Sequence, residues 1–469
     1  MLFNSFHFLF FFIIVTFVYF KTPSRFRWVT LLTSSCYFYM AFVPVYILIL
    51  FFTIAVDYLA GIYIEKSSGN KRKMYLIFSL LVNVCALAVF KYYNFFAGNV
   101  NAVFSFIHEA MRLPLMNILL PIGLSFHTFQ AMSYTIEVYR GHQRAERHLG
   151  IYSLYVMFYP QLVAGPIERP QNLLPQFWAH HKFDYARLTS GLQLMCWGLF
   201  KKIVIADRLA IYVDAVYNNP DQQSGSTLLL ATLFFSFQIY CDFSGYSDIA
   251  IGSARVMGFD LMRNFNRPYF SRSVSEFWKR WHISLSTWFK DYLYIPLGGN
   301  RAGKYRVYLN LIIVFTVSGI WHGANWTFAI WGLLNGFYLI LESIKKSTKL
   351  SYFSNFANGY LASVITFGLV SFAWIFFRAN NIKDALIIVR RIFSSPGALY
   401  YENPSMLIFS FFGIGFLIIV EYLQEKGLPR VVNNLWQTSL VRTISFAALI
   451  VVLFLIGVFD GGQFIYFQF

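Results

Sequence analysis

Residues able to do chemistry gather in two tryptophan-rich stretches of this chain. In the first, "SGIWHGANW" at 318–326, His322 stands between Trp321 and Trp326, and the nearest charges in sequence are Arg306 and Glu342. An ionisable side chain in so apolar a run is costly at membrane depth and is therefore a candidate functional group. A neutral imidazole accepts a proton near physiological pH, which suits it to deprotonate a hydroxyl; the competing reading is a histidine bonding a neighbouring helix. Gly319, Gly323 and Ala324 are expected to let a substrate approach the backbone closely. The second stretch, "SVSEFWKRWHISLSTWFKDYLYIPLGGNR" at 273–301, places His282 beside Trp281. Taken alone, His282 reads as a hydrogen-bonded packing residue.

Elements must hold these groups. In the second stretch Phe277, Trp278, Trp281, Leu285, Trp288, Phe289, Tyr292 and Leu293 recur at three- and four-residue steps, a helical stripe. Ser273 with Glu276 three residues on has the spacing of a capping box, and Pro296 with Gly298-Gly299 marks the end. The spacing thus predicts one amphipathic helix whose basic segment runs from Glu276 to Asp291, too polar to span a bilayer and suited to its interface. Lys279, Arg280 and Lys290, with Trp281, Trp288 and Arg301 nearby, are candidates either for lipid head groups or for an anionic group such as the phosphates of an acyl donor.

Around these stretches the chain is 57% hydrophobic and 20% aromatic, with only 13% charged residues in 469. Polar residues are too few to cover a water-soluble globule, so an all-α polytopic membrane protein is expected. A spanning helix needs about 20 mostly apolar residues. Ten to twelve such stretches are expected among thirteen apolar segments, centred in 3–20, 26–42, 45–64, 75–96, 118–138, 151–163, 192–216, 228–251, 307–320, 326–341, 361–377, 407–423 and 443–459, of which several are too short or interrupted to count. Pro121, Pro160 and Pro166 break helices, and segments of this kind read as re-entrant. The chain is expected to form a single domain over 1–469, with a cytoplasm-facing interfacial segment around 258–306. Met1 to Phe20 reads as a retained first helix.

The net charge of +17 includes basic clusters between apolar stretches, as at 65–73, 140–148 and 343–349. For such a chain this favours contact with anionic membrane lipids over nucleic acid. "YCDFSGYSDIAIG" at 240–252 adds Asp242 and Asp248, either orienting a catalytic histidine, Asp242 as an assisting group, or pairing with arginines such as Arg255 or Arg272. Asp57, Lys91, Glu137 and Asp207 lie near segment ends, where pairing or snorkelling would account for them. Cys36, Cys85, Cys196 and Cys241 read as small buried hydrophobes. Signatures of soluble hydrolases, phosphate-binding loops and zinc helices are absent, and no metal is implied.

"FNRPYFSRSVSEFWKRWHISLSTWFKDYLYIPLGGNR", followed by "SGIWHGANWTFAIWG", resembles the membrane-bound O-acyltransferase superfamily, and most nearly its bacterial alginate and peptidoglycan O-acetyltransferase branch. Supporting matches are "FYPQLVAGPIERPQNLLPQF", "FKKIVIADRLA", "QIYCDFSGYSDIAIG", "FAWIFFRA" and "FIYFQF". The resemblance implies about eleven helices in a ring around a central funnel, a catalytic role for His322 and a second functional role for His282. It also implies acetyl-CoA as co-substrate with no bound cofactor, a polysaccharide acceptor, an extracytoplasmic esterase-like partner and residence in a bacterial cytoplasmic membrane. The same superfamily admits D-alanyl transfer to teichoic acid as an alternative. A transporter or channel lined by His and Asp is a further one, which leaves the basic tryptophan-rich helix without a purpose.

Overall fold

The computed structural model describes residues 1–105, 112–116, 121–163, 165–301, 303–347, 359–401, 403–427, 438–459 and 464–465. Among these residues every regular element is a helix. The expected stretch at 118–138 and the terminal "FIYFQF" fall partly outside them. Contacts divide the chain into two compact units, Met1–Gly191 with Ala250–Met262, and Leu192–Ile249 with Arg263–Phe469.

The first unit contains α1 (Phe6–Lys21), α2 (Arg27–Met40), α3 (Ile47–Lys66), α4 (Gly69–Leu87), α5 (Tyr93–Phe104), α6 (Leu124–Arg140), α7 (Leu149–Met157), α8 (Tyr159–Leu162) and α9 (Pro170–Trp178). A π-helical turn joins α4 to α5, so that Gly69–Phe104 is one long apolar rod. The expected stretch at 151–163 is instead two short buried helices broken at Phe158, whose ψ of 111° is not helical, with Pro160 in the first turn of α8, where its missing N–H costs nothing. Asp57 departs from the snorkelling expectation. It is fully buried on α3, and its carboxylate accepts from Ser79 Oγ at 2.6 Å and Asn83 Nδ2 at 2.9 and 3.0 Å on α4. Glu137 does pair, with Arg140 and His142, and accepts from Gln171.

α10 (Tyr185–Leu199) leads into the second unit, which holds α11 (Asp207–Tyr217), most of α12 (Gly225–Val256), α13 (Val274–Arg280), α14 (Ile283–Phe289), α15 (Lys304–His322), α16 (Trp326–Ser347), α17 (Gly359–Arg378), α18 (Ile382–Ser394), α19 (Pro404–Lys426) and α20 (Ser439–Ile456). Among the described residues, six helical rods are long and apolar enough to cross a membrane: 44–66, 69–104, 225–256, 326–345, 359–378 and 404–426. α1 and α20 are shorter apolar helices. Together these define an all-α multi-pass membrane protein.

Two features of the second unit position its interior. A π-helical turn at Phe200–Ala206 carries Lys201 and Lys202 into the core. Lys202 Nζ sits 2.7 Å from both Asp207 Oδ1 and Asp242 Oδ1, and Lys201 Nζ lies 2.7 Å from Asp248. The acidic residues of α12 are therefore neutralised by lysines, not by Arg255 or Arg272. The π turn accompanies this, since it carries Lys201 and Lys202 in succession and both reach carboxylates of α12. Second, α15 and α16 pack backbone to backbone. A Cβ on Gly319 would lie 2.2 Å from Phe328 O, and one on Gly332 would lie 2.2 Å from Phe315 O.

Overpacking at such a contact typically costs about 1–3 kcal/mol and can cost more. Gly332→Leu is expected to lower the melting temperature clearly, whereas Gly368→Ala, with open space around it, should leave it nearly unchanged. Equal melting curves for the two variants would contradict the close packing of α15 on α16.

Candidate active site

The segment that reads as one helix from Glu276 to Asp291 is two. α13 stops at Arg280 and α14 starts at Ile283, with His282 between them in the left-handed region at φ +41°. The predicted cap at Ser273 is present, since its hydroxyl accepts from Glu276 N at 3.1 Å. What breaks the helix comes from 18 residues upstream. The carbonyl of Asn264 accepts from Ile283 N at 2.9 Å, and Asn266 N donates to Arg280 O at 2.9 Å. Asn264 Oδ1 also accepts from Ser284 Oγ at 2.9 Å and Ser284 N at 3.3 Å, so it caps α14 from outside.

The same Asn264 Oδ1 lies 3.1 Å from His282 Nδ1. An amide oxygen only accepts, so Nδ1 carries the proton and the ring's lone pair is on Nε2, a tautomer assigned from these partners. A non-glycine residue at positive φ costs of order 1–3 kcal/mol and persists where its surroundings over-determine it, commonly at functional sites. His282 is 1% exposed, its ring 4.5 Å edge-on from Phe243 and 6.5 Å from Trp321.

His322 is the last residue of α15 and is 3% exposed. Its ring meets Trp321 at 4.9 Å, Trp331 at 5.1 Å and Phe377 at 5.5 Å. Trp331 stacks on Trp374 at 5.5 Å, and Trp374 meets Trp281 at 5.1 Å. Both histidines thus sit against Trp321 within one aromatic cluster drawn from α12, α13, α15, α16 and α17. Gly323 does not open this region to a substrate as expected, because a Cβ there would lie 2.1 Å from the Phe328 ring. That glycine and Gly319 serve packing.

Along α15, beginning one turn before His322 at Ser318, runs a cavity of about 520 Å³ lined by Val314, Phe315, Trp278 and Leu285, with Lys279 and Lys290 among its lining residues. The expected donor-binding residues therefore separate. Lys279 and Lys290 line this cavity and are exposed. Arg280 turns elsewhere, to Glu276 at 2.7 Å and Glu425 at 2.9 Å. Trp281 and Trp288 are buried packing residues, and Arg301 is exposed in the turn at 299–301. Asp242, read as an assisting group, is held between Lys202 and the amide of Ile465, which donates to its Oδ2 at 2.7 Å. Its neighbour Phe243 is the residue that reaches His282. Asn264 lies outside every quoted stretch, and Phe243, Trp331 and Trp374 lie inside quoted stretches without standing out in them; distant packing is what brings all four here.

The membrane-bound O-acyltransferase family description matches residues 143–380. A protein of Azotobacter vinelandii named "Probable alginate O-acetylase AlgI" is 40% identical over 399 residues, 84% of this chain and 78% of the relative. The peptidoglycan O-acetyltransferase of Helicobacter pylori is 36% identical over 425 residues, 83% of this chain and 79% of the relative. The teichoic acid D-alanyltransferase of Bacillus subtilis is 28% identical over 284 residues, 58% of this chain and 71% of the relative.

Burial pushes the His282 imidazole down to about 3 from 6.5. The unfolded chain takes up that proton near 6.5 and the folded chain only near 3, so stability is full above this window and falls with pH inside it, by about 1.4 kcal/mol per pH unit from this residue. His282→Gln should flatten the acid dependence of thermal unfolding between about pH 6 and 4. An undiminished slope would show that His282 is not held neutral.

Proposed function

This chain belongs to the membrane-bound O-acyltransferase family, and from that premise we propose that it moves an acetyl group from acetyl-CoA toward hydroxyls of an envelope or secreted polysaccharide, of the alginate or peptidoglycan kind. It is a multi-pass membrane acyltransferase. The cytoplasmic membrane of a bacterium is the location that suits such a donor and acceptor.

The observation that carries this reading is the joint placement of His322 and His282 against Trp321, with the cavity bearing Lys279 and Lys290 running up to Ser318. Lysines at the mouth suit the donor's phosphates, and apolar walls suit its thin arm. His322 takes the proton of the accepting hydroxyl as that oxygen attacks the thioester carbonyl. The C–O bond forms, the C–S bond breaks, and the imidazolium returns its proton to the departing thiolate. The partial negative charge at the end of α15 stabilises the imidazolium meanwhile. His282, fixed by Asn264, presents Nε2 within the same cluster and is the second functional histidine. The surrounding tryptophans keep water from the thioester. The accepting hydroxyl belongs to the polymer or to a partner protein's serine that relays the acetyl outward, with an extracytoplasmic esterase-like transferase as that partner.

General-base loss typically costs about 10²- to 10⁴-fold in rate. His322→Ala is expected to abolish ester in the polymer of a complemented deletion strain while the protein still inserts; unchanged ester content contradicts the assignment. Reversing charge at Lys279 and Lys290 to Glu should raise KM for acetyl-CoA with little effect on kcat. A fall in kcat at constant KM would place the donor elsewhere. The same purified protein offered a D-alanyl carrier thioester tests the alternative transfer, and turnover of that donor alone would overturn acetyl transfer.

A further inference from the structure

A second cavity, about 680 Å³, lies in the same unit and away from both histidines, bounded by α13, α17, α19 and the turn at 268–270. Six charged residues line it, and they divide by partner. Arg280 is bound by Glu276 and Glu425, and Arg267 adds a 2.7 Å contact to Glu425. The buried Glu421 accepts from the Tyr240 hydroxyl. The remaining two are cations, both exposed: Arg272 and Lys426. Among the described residues the Arg272 guanidinium has no ion pair and lies over Gly359, where its Cζ would be 3.0 Å from an added Cβ. Lys426 stands 5.4 Å over the Tyr360 ring, whose hydroxyl is 3.4 Å from that of Tyr422.

These groups occupy the ends of two spanning helices, Gly359 at the start of α17 and Lys426 at the end of α19. The lining turns apolar toward the middle of both helices, through Val364 and Phe367 on one and Ile418 and Leu417 on the other. At 1.5 Å per residue that is a change from charged to apolar over roughly 8–14 Å, comparable with the distance from lipid phosphate to the first part of the acyl chains. Val364 is 64% exposed and Ile418 42%, so the groove opens sideways onto the faces these helices turn to hydrocarbon.

We propose that this groove binds an anionic glycerophospholipid of the surrounding bilayer, its phosphate between Arg272 and Lys426 with hydrogen bonds from the tyrosine hydroxyls, and its acyl chains along Val364, Phe367, Leu417 and Ile418. Among the described residues neither Arg272 nor Lys426 has an ion pair, and these two cations favour a lipid of net negative charge over a zwitterionic one. A soluble phosphate compound has no use for a lateral apolar opening, and this distinguishes a membrane lipid from a free anion. The inference is independent of acyl transfer.

The test uses the purified full-length protein and no acyl donor. Native mass spectrometry after a detergent wash should find a retained phosphatidylglycerol on the wild type. The Arg272→Gln/Lys426→Gln double variant should lose it by roughly tenfold or more, the effect of two phosphate contacts. Val364→Trp, which fills the lateral opening from the lipid-facing side, should lose it as well. Phosphatidylglycerol in nanodiscs should raise the melting temperature of the wild type, while phosphatidylcholine or millimolar inorganic phosphate should not. Equal lipid retention by both variants would overturn the proposal, and so would a shift reproduced by inorganic phosphate alone.

Discussion

The side chain of Asn264 is the constraint on which the site depends. Its Oδ1 accepts from His282 Nδ1 and from the amide and hydroxyl of Ser284, while its backbone carbonyl takes the amide of Ile283. One residue therefore starts α14, sets the tautomer of His282 and holds it at positive φ, while Asn266 N donates to the carbonyl of Arg280 at the end of α13. An orphaned amide or imidazole in so buried a place would cost about 1–3 kcal/mol, so these bonds carry weight well beyond a surface contact. Asn264 is itself anchored, its Nδ2 donating to Ser247 at 3.2 Å on α12.

The aromatic cluster and the buried ion pairs serve that arrangement. Trp281, Trp321, Trp331 and Trp374 exclude water from around the two imidazoles, which strengthens any charge interaction formed during transfer. The pairs of Lys202 with Asp207 and Asp242 tie α11 and α12 together and fix the chain at Ile465, and Phe464 packs on Tyr246 at 4.4 Å and on Phe243 at 5.7 Å. Phe243 in turn packs on His282. Polar side chains at this depth thus work mainly by orienting neighbours, and the close approach of α15 to α16 is what places His322 against Trp331.

Membrane class, the apolar rods, the Ser273 cap and His322 as a candidate were legible in the chain because each rests on local composition or spacing, whereas His282 alone read as packing and became a candidate only through the family resemblance. The break at His282 was not legible. Trp281, Leu285, Trp288 and Phe289 keep a helical period across it, and its cause is an asparagine 18 residues away. Charge alone could not show that Arg280 would turn to Glu425 while Lys279 lined the cavity along α15, since adjacent residues on a short helix face different neighbours. The lysine partners of Asp242 and Asp248 come from the π-helical turn at Phe200–Ala206, which has no simple sequence sign. Gly319 and Gly323 read as room for a substrate, and only the packing against Phe328 shows that they make room for α16.

The pH dependence of kcat/KM for acetyl transfer by the purified protein separates the roles of the two histidines, with His322 as base and His282 held neutral. The rate should fall as pH drops through the ionisation of one histidine, with that acid limb unchanged in the residual activity of His282→Gln. An acid limb that vanishes in His282→Gln would contradict these roles.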